Sequence, residues 1–231
     1  MAKYKHIFFD LDRTLWDFDR NAEETFKIIF EKYELQKRGI GSLAAFREVY
    51  EEHNNLLWSY YRKGEIKKPV LNVRRFEMSL NEFGIQDTLL ACDIADEYTR
   101  VDPERIYLFP NAIEILQYLS ANYHIHIITN GFEEVQYPKI AISGMKQYFD
   151  KIITSEEAGC KKPEKEIFHY AMDKAKAMPG DSIMIGDDLE VDILGARKVG
   201  MDQVYVNYHG LEHDEKVSFE VSNLISLNSI L

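Results

Sequence analysis

Cysteine is nearly absent from this chain: 231 residues hold two, Cys92 and Cys160, in unrelated contexts. That excludes a disulfide framework and a cysteine-built metal site, and leaves two ordinary reduced thiols. Long apolar runs are lacking as well. The start, Met1-Ala2-Lys3-Tyr4-Lys5-His6, passes straight into a strand-like stretch without the apolar region of a secretion signal, and no later run could span a bilayer. A soluble, cytoplasmic protein with no membrane partner is the expectation. Positive charge is scarce too, with 28 Lys and Arg against 39 Asp and Glu and a formal net charge of −11. Nucleic-acid polymers are bound by clustered Lys and Arg, so no nucleic-acid partner is expected, whereas a small anion held by one local cation remains compatible. The sequence contains neither an internal repeat nor a low-complexity segment.

What is present is an ordinary globular composition, 45% hydrophobic and 29% charged, long enough for one large domain or a domain carrying an insertion. His6-Ile7-Phe8-Phe9 is continuously apolar after its first residue and suits a strand buried on both faces. From about Asp19 to Val101 the spacing turns helical, through Phe26, Ile29, Phe30 and Tyr33, then Phe46, Val49, Tyr50, Leu57 and Tyr61, then Phe76, Leu80 and Phe83, then Leu90, Ile94 and Tyr98. This predicts about four helices and no strand. After Pro110 a helix through Ile113, Leu116 and Leu119 leads to a strand at 124–129. The alternation continues with a helix near 133–148, a strand at 151–154, a helix at 164–177, a strand at 182–185, a helix at 191–199 and a strand at 203–206. An edge strand at 219–221 and a closing helix at 224–231 complete it. Strands alternating with helices imply an α/β fold, a doubly wound (Rossmann-like) parallel sheet. The helical block then reads as a cap domain, 17–106, inserted into a core of 1–16 and 107–231, with joins near 16–20 and 102–110.

Ligands of open parallel sheets bind outside the carboxyl ends of the strands. Asp10, Thr129 and Asp187 each stand at such an end, and together with Lys162 they supply what phosphoryl transfer needs. Asp10 is read as the nucleophile that forms an aspartyl-phosphate, held ionised by Mg²⁺. Asp12 is the acid for the leaving alcohol and then the base for the hydrolytic water. Thr129 offers a hydroxyl, and Asn130-Gly131 offer backbone N–H groups in a tight turn. Lys162, preceding Pro163 at the expected start of a helix, neutralises phosphate oxygens and the nucleophile, while Lys161 is solvated. Gly186-Asp187-Asp188-x-x-x-Asp192 places hard oxygen ligands for Mg²⁺ at a strand end. Asp187 is the direct ligand, Asp192 lies one step further out or reaches through water, and Asp188 supports the ligand or merely answers the helix dipole. The partner so implied is a small phosphorylated metabolite.

As a set, Asp10-x-Asp12-x-Thr14, Ile128-Thr129-Asn130-Gly131, Lys162-Pro163 with Glu166-Ile167-Phe168, and Gly186-Asp187-Asp188-x-x-x-Asp192-Ile193-x-Gly195-Ala196 resemble the haloacid dehalogenase-like superfamily, in its branch with a helical cap inserted after the first strand. The resemblance covers essentially the whole chain. It implies that Asp10, the main-chain carbonyl of Asp12 and the last acidic cluster bind Mg²⁺, and that Thr129 and Lys162 hold the phosphate. Arg13 departs from the glycine that relatives often carry. The eponymous dehalogenases lack the second acid, so Asp12 favours a phosphatase. Trp16-Asp17-Phe18 and the cap length look similar to pyrimidine 5′-nucleotidase-like members, which brings a nucleoside 5′-monophosphate forward as substrate. Trp16, Asp17, Trp58, Tyr60, Arg74 and Arg75 are candidates for a substrate pocket, although most cap aromatics at helical spacing should be core, and His124 and His126 read as structural. Two other functions stay open: a phosphosugar mutase sharing the phosphoenzyme chemistry, and a phospho-receiver-like signalling domain.

Overall fold

β1 (His6–Phe9) is buried along its whole length, and its alternation explains why: Ile7 and Phe9 face one apolar layer while Phe8 faces the other. The computed structural model describes residues 3–231. The sheet it forms has β2 (His124–Thr129), β3 (Lys151–Thr154), β4 (Ser182–Gly186), β5 (Asp202–Val206) and β6 (Phe219–Val221) in the order β3-β2-β1-β4-β5-β6, every pair parallel. On one side Ile7, Phe9, Ile127, Ile185 and Val204 pack with Ile115, Leu116 and Leu119 of α5 (Ala112–Ser120). On the other, Phe8, Ile128 and Met184 meet Ile167, Phe168 and Ala171 of α8 (Lys165–Ala175). This is the doubly wound α/β architecture. Its strand order reverses between β1 and β4, whose registers place Phe9 beside Ile185, and the Asp10 N–H donates to the Ile185 carbonyl at 2.9 Å. A ligand crevice opens at such a reversal, beyond the strands' carboxyl ends. Among the described residues no helix is long and apolar enough to cross a membrane.

The chain divides into two compact units, one running to Asp19 and resuming at Ile106, the other Arg20–Arg105. Four helices build the second: α1 (Phe18–Lys32), α2 (Leu43–Arg62), α3 (Lys68–Glu82) and α4 (Thr88–Val101). Ser42 caps α2 by accepting from the Ala45 N–H, and Asp87 caps α4 by accepting from that of Leu90. The rings of Phe26, Phe46, Tyr50, Phe76 and Tyr98 pack together as its centre. Arg75 is buried among them, 5.1 Å over Tyr98 and 5.2 Å over Phe76, and donates to Asn54 Oδ1 at 3.1 Å.

Five segments differ from the sequence pattern. The helix expected over 133–148 stops as α6 (Glu133–Ile142), because Gly144 turns the chain at φ 75° into a short 3₁₀ turn, Met145–Tyr148. A one-turn helix, α7 (Ser155–Ala158), follows β3 directly. The Lys162-Pro163 pair does not open a helix: α8 begins at Lys165, with Glu164 as its N-cap residue. The helix expected at 191–199 is a wide π-type turn, Leu189–Leu194, followed by a single turn, α9 (Gly195–Arg197). The tail closes with a 3₁₀ helix, Leu224–Ser229.

Candidate active site

Asp10 follows β1 and Asp187 follows β4, the two strands at the reversal, so their carboxylates meet without any long-range loop having to carry them there. Asp192 joins them from the π-type turn, and one carboxylate oxygen of each lies within 4.8 Å of the others. Gly186 makes this approach possible, because a Cβ there would fall 2.3 Å from Asp192 Oδ2. Lys162 enters from the loop before α8 and is buried between the acids, its Nζ 2.6 Å from Asp10 Oδ1 and 2.6 Å from Asp192 Oδ1. Thr14, fully buried, sets its hydroxyl 3.0 Å from Asp187 Oδ1 and 3.3 Å from Asp10 Oδ2.

Three carboxylates against one ammonium leave an excess of buried negative charge. Burial raises the pKa of Asp10, with Lys162 opposing the rise. Burial, then Asp10 and Asp192, pushes Asp187 well above the ordinary range, and Asp192 is raised by burial despite Lys162. Burial disfavours the charged Lys162, yet Asp10 and Asp192 outweigh it and keep the ammonium firmly protonated. Hard oxygen donors with an unbalanced negative charge fit a divalent cation such as Mg²⁺, which takes few carboxylates and keeps water ligands.

The remaining predicted residues surround this cluster. Thr129 ends β2 and is buried, and Asn130 ties its loop to the lysine loop at two points: Nδ2 donates to the Lys162 carbonyl and Oδ1 accepts from the Lys162 N–H, both at 2.9 Å. The Gly131 N–H turns inward and donates to Thr129 Oγ1 at 3.0 Å. The Asp188 side chain accepts from the N–H groups of Glu190 and Val191 and so caps the π-type turn. The Asp12 side chain stands outside the acidic cluster, held by Lys139 Nζ at 2.9 Å and Gln136 Nε2 at 2.7 Å.

Trp16 and Arg75 do not line a pocket: both are buried in apolar packing, Trp16 completely. Arg74 is half-exposed and paired with Glu77 at 2.6 Å. Arg13 adopts φ 65°, the left-handed region that favours glycine. Its guanidinium lies 2.8 Å from Asp19 and 4.6 Å from the Phe18 ring centre. His6, His124 and His126 stack at the opposite, amino end of the sheet, where burial lowers His126 to about 4 and keeps it neutral. Gln136, Lys139, Thr14 and Tyr208, whose hydroxyl donates to the Thr14 carbonyl at 2.8 Å, are the site's unanticipated members. Thr14 stood inside a quoted motif, but nothing local marks the other three.

Comparison with known proteins bears on the family and the fold. The family model described as haloacid dehalogenase-like hydrolase matches residues 4–200. Pyrimidine 5′-nucleotidase YjjG of Escherichia coli strain K12 is 32% identical over 233 residues, covering 99% of this chain and 98% of that protein. A glyceraldehyde 3-phosphate phosphatase of Methanothermobacter thermautotrophicus is 28% identical, covering 98% of this chain and 97% of its own length. The crystal structure of HAD-hydrolase YfnB from Bacillus subtilis, bound to magnesium, superposes with a TM-score of 0.91 at 26% identity, covering 99% of both chains.

Proposed function

The chain belongs to the haloacid dehalogenase-like hydrolases, and from that membership we propose that it is a Mg²⁺-dependent phosphatase of small phosphomonoesters, acting on pyrimidine nucleoside 5′-monophosphates through a phosphorylated Asp10. What supports this most is the gathering of Asp10, Asp187 and Asp192 within 4.8 Å around a lysine bonded to two of them. The nucleotide preference is supported by the 32% identical pyrimidine 5′-nucleotidase.

Mg²⁺ would be held by Asp10, Asp187 and the main-chain carbonyl of Asp12, with Asp192 beside them, and would supply positive charge against the nucleophile and the phosphoryl oxygens. The chain's own residues do the rest. A carboxylate oxygen of Asp10 forms a bond to phosphorus as the bond to the ester oxygen breaks, and the Asp12 carboxyl gives its proton to the departing alkoxide. Water then attacks phosphorus and yields its proton to the Asp12 carboxylate, and the bond to Asp10 breaks to release inorganic phosphate. Lys162 balances charge on Asp10 and the phosphoryl group throughout, a contribution of roughly 3–4 kcal/mol for one preorganised partner. Thr129 and the Asn130-Gly131 loop orient the phosphoryl oxygens.

A phosphate-release screen over pyrimidine and purine nucleoside monophosphates, triose phosphates and hexose phosphates, with and without Mg²⁺, tests this. Mg²⁺-dependent release that is fastest from pyrimidine nucleotides is expected. Fastest release from triose phosphates would move the substrate toward the Methanothermobacter relative. Isomerised sugar phosphate without free phosphate would make the enzyme a mutase.

A further inference from the structure

Two side chains of α6, three residues apart and therefore on one face of the helix, reach the reaction centre without belonging to any motif noted above. Gln136 is fully buried and spends both amide hydrogens there: Nε2 donates to Asp12 Oδ2 at 2.7 Å and to Thr129 Oγ1 at 2.7 Å. Lys139 is 1% exposed, and its ammonium lies 2.9 Å from Asp12 Oδ1, with the rings of Trp16 and Phe18 at 5.1 and 5.4 Å.

We propose that Gln136 and Lys139 are positioning residues, a two-point clamp that sets the orientation of the Asp12 carboxylate and makes the Thr129 hydroxyl a donor toward the phosphoryl group. Each Asp12 oxygen receives one N–H, which fixes the carboxylate plane and leaves the other lone pair of each oxygen to exchange a proton with leaving group or water. The Thr129 oxygen accepts from the Gly131 N–H and from Gln136. With both lone pairs filled, its single proton can only be given outward, to an anion. Gly131 carries an independent sign of the same arrangement, because a Cβ at that position would lie 1.9 Å from Gln136 Nε2. A buried lysine is also an expensive way to gain stability, since desolvation offsets much of the pairing energy. Its placement on the one carboxylate assigned to proton transfer points to catalysis.

The clamp rests on the assignment of proton transfer to Asp12, and the test separates the two. Wild type, Asp12→Asn, Lys139→Met, Gln136→Met and the double variant Asp12→Asn/Lys139→Met are compared by the single-turnover rate of leaving-group release, which precedes the hydrolysis step common to all esters, on p-nitrophenyl phosphate, whose leaving group departs without a proton, and on an alkyl phosphate such as a nucleoside 5′-monophosphate. Lys139→Met should lower the single-turnover rate of leaving-group release from the alkyl ester by about 10–100-fold, part of what general acid catalysis supplies, with only a small loss on the aryl ester. In the Asp12→Asn background it should add no more than about twofold, because the group it orients is gone. Lys139→Arg should recover part of the loss. Equal losses on both esters, or a full additional loss in the Asp12→Asn background, would overturn the clamp while leaving the role of Asp12 standing. An Asp12→Asn enzyme whose single-turnover release of the two leaving groups is slowed alike would remove both. Gln136→Met supplies the same leaving-group comparison should Lys139→Met not fold.

Discussion

Replacing Lys162 by Met keeps most of the length of the side chain and removes the cation placed among three acids, of which Asp10 and Asp192 are buried. Two contacts of 2.6 Å are lost, to Asp10 and to Asp192. At an effective dielectric constant of about 20 each represents roughly 6 kcal/mol of gross attraction, most of it offset by desolvation of the ions. Deleting one partner of such a buried group leaves the other unpaired and destabilises by about 3–5 kcal/mol. Urea unfolding at neutral pH in EDTA reads this directly. The difference between Lys162→Met and wild type should narrow as pH falls, because burial already raises the pKa of Asp10, Asp187 and Asp192 and protonated carboxyls no longer need the ammonium. Turnover with Mg²⁺ should fall by about 10²–10³-fold, the usual loss for one preorganised charge partner. A stability change under about 1 kcal/mol that is independent of pH would show Lys162 to be a solvated surface cation, and the electrostatic account of the site would be wrong.

Three further outcomes are expected. Metal-free enzyme should lose stability as pH rises from the ordinary Asp value through the raised pKa values of Asp10, Asp187 and Asp192, since the folded state there holds protons that the unfolded state has released. Mg²⁺ should therefore raise the melting temperature more at alkaline than at acidic pH, and a pH-independent shift would place the ion elsewhere. His126 behaves in the opposite sense. Its pKa is lowered from 6.5 to about 4, so its contribution is complete above the unfolded value and is lost as pH falls toward 4, up to about 3 kcal/mol. His126→Phe should flatten the stability profile across that window, and an unchanged slope would show that His126 is not its source. Gly186→Ala, whose new methyl would collide with Asp192, should weaken Mg²⁺ binding by calorimetry while far-ultraviolet circular dichroism stays the same. Unchanged affinity would mean that Asp192 tolerates displacement.

Much of this molecule was legible because its signals are local. β1 announces itself, since Ile7 and Phe9 serve one layer and Phe8 the other, which forces a continuous apolar run. Asp10, Thr129 and Asp187 stand at strand ends, and the parallel sheet follows from the alternation of strands and helices, although its strand order does not. What escaped is set by contacts between distant residues. The turn at Leu189–Leu194 follows the need to bring Asp192 inward, and Gly195 must lie flat against Phe168, where a Cβ would be 2.8 Å from the ring. Such π-type turns recur at functional sites and have no periodicity of their own. Lys139 carries the composition of a solvated helix face, and its partner Asp12 lies 127 residues away. Trp16 and Arg75 looked like pocket residues because of their chemistry, but each is consumed by packing.

The most direct measurement is an acid quench of the Asp12→Asn enzyme mixed with Mg²⁺ and p-nitrophenyl phosphate, whose leaving group needs no proton, followed by peptide mass spectrometry. Asp12→Asn retains the nucleophile but lacks the base for the hydrolytic water, so a phosphoryl group should accumulate on the peptide carrying Asp10 and be absent when Asp10→Asn is added. A phosphoryl group on another residue, or none while turnover continues, would contradict the account.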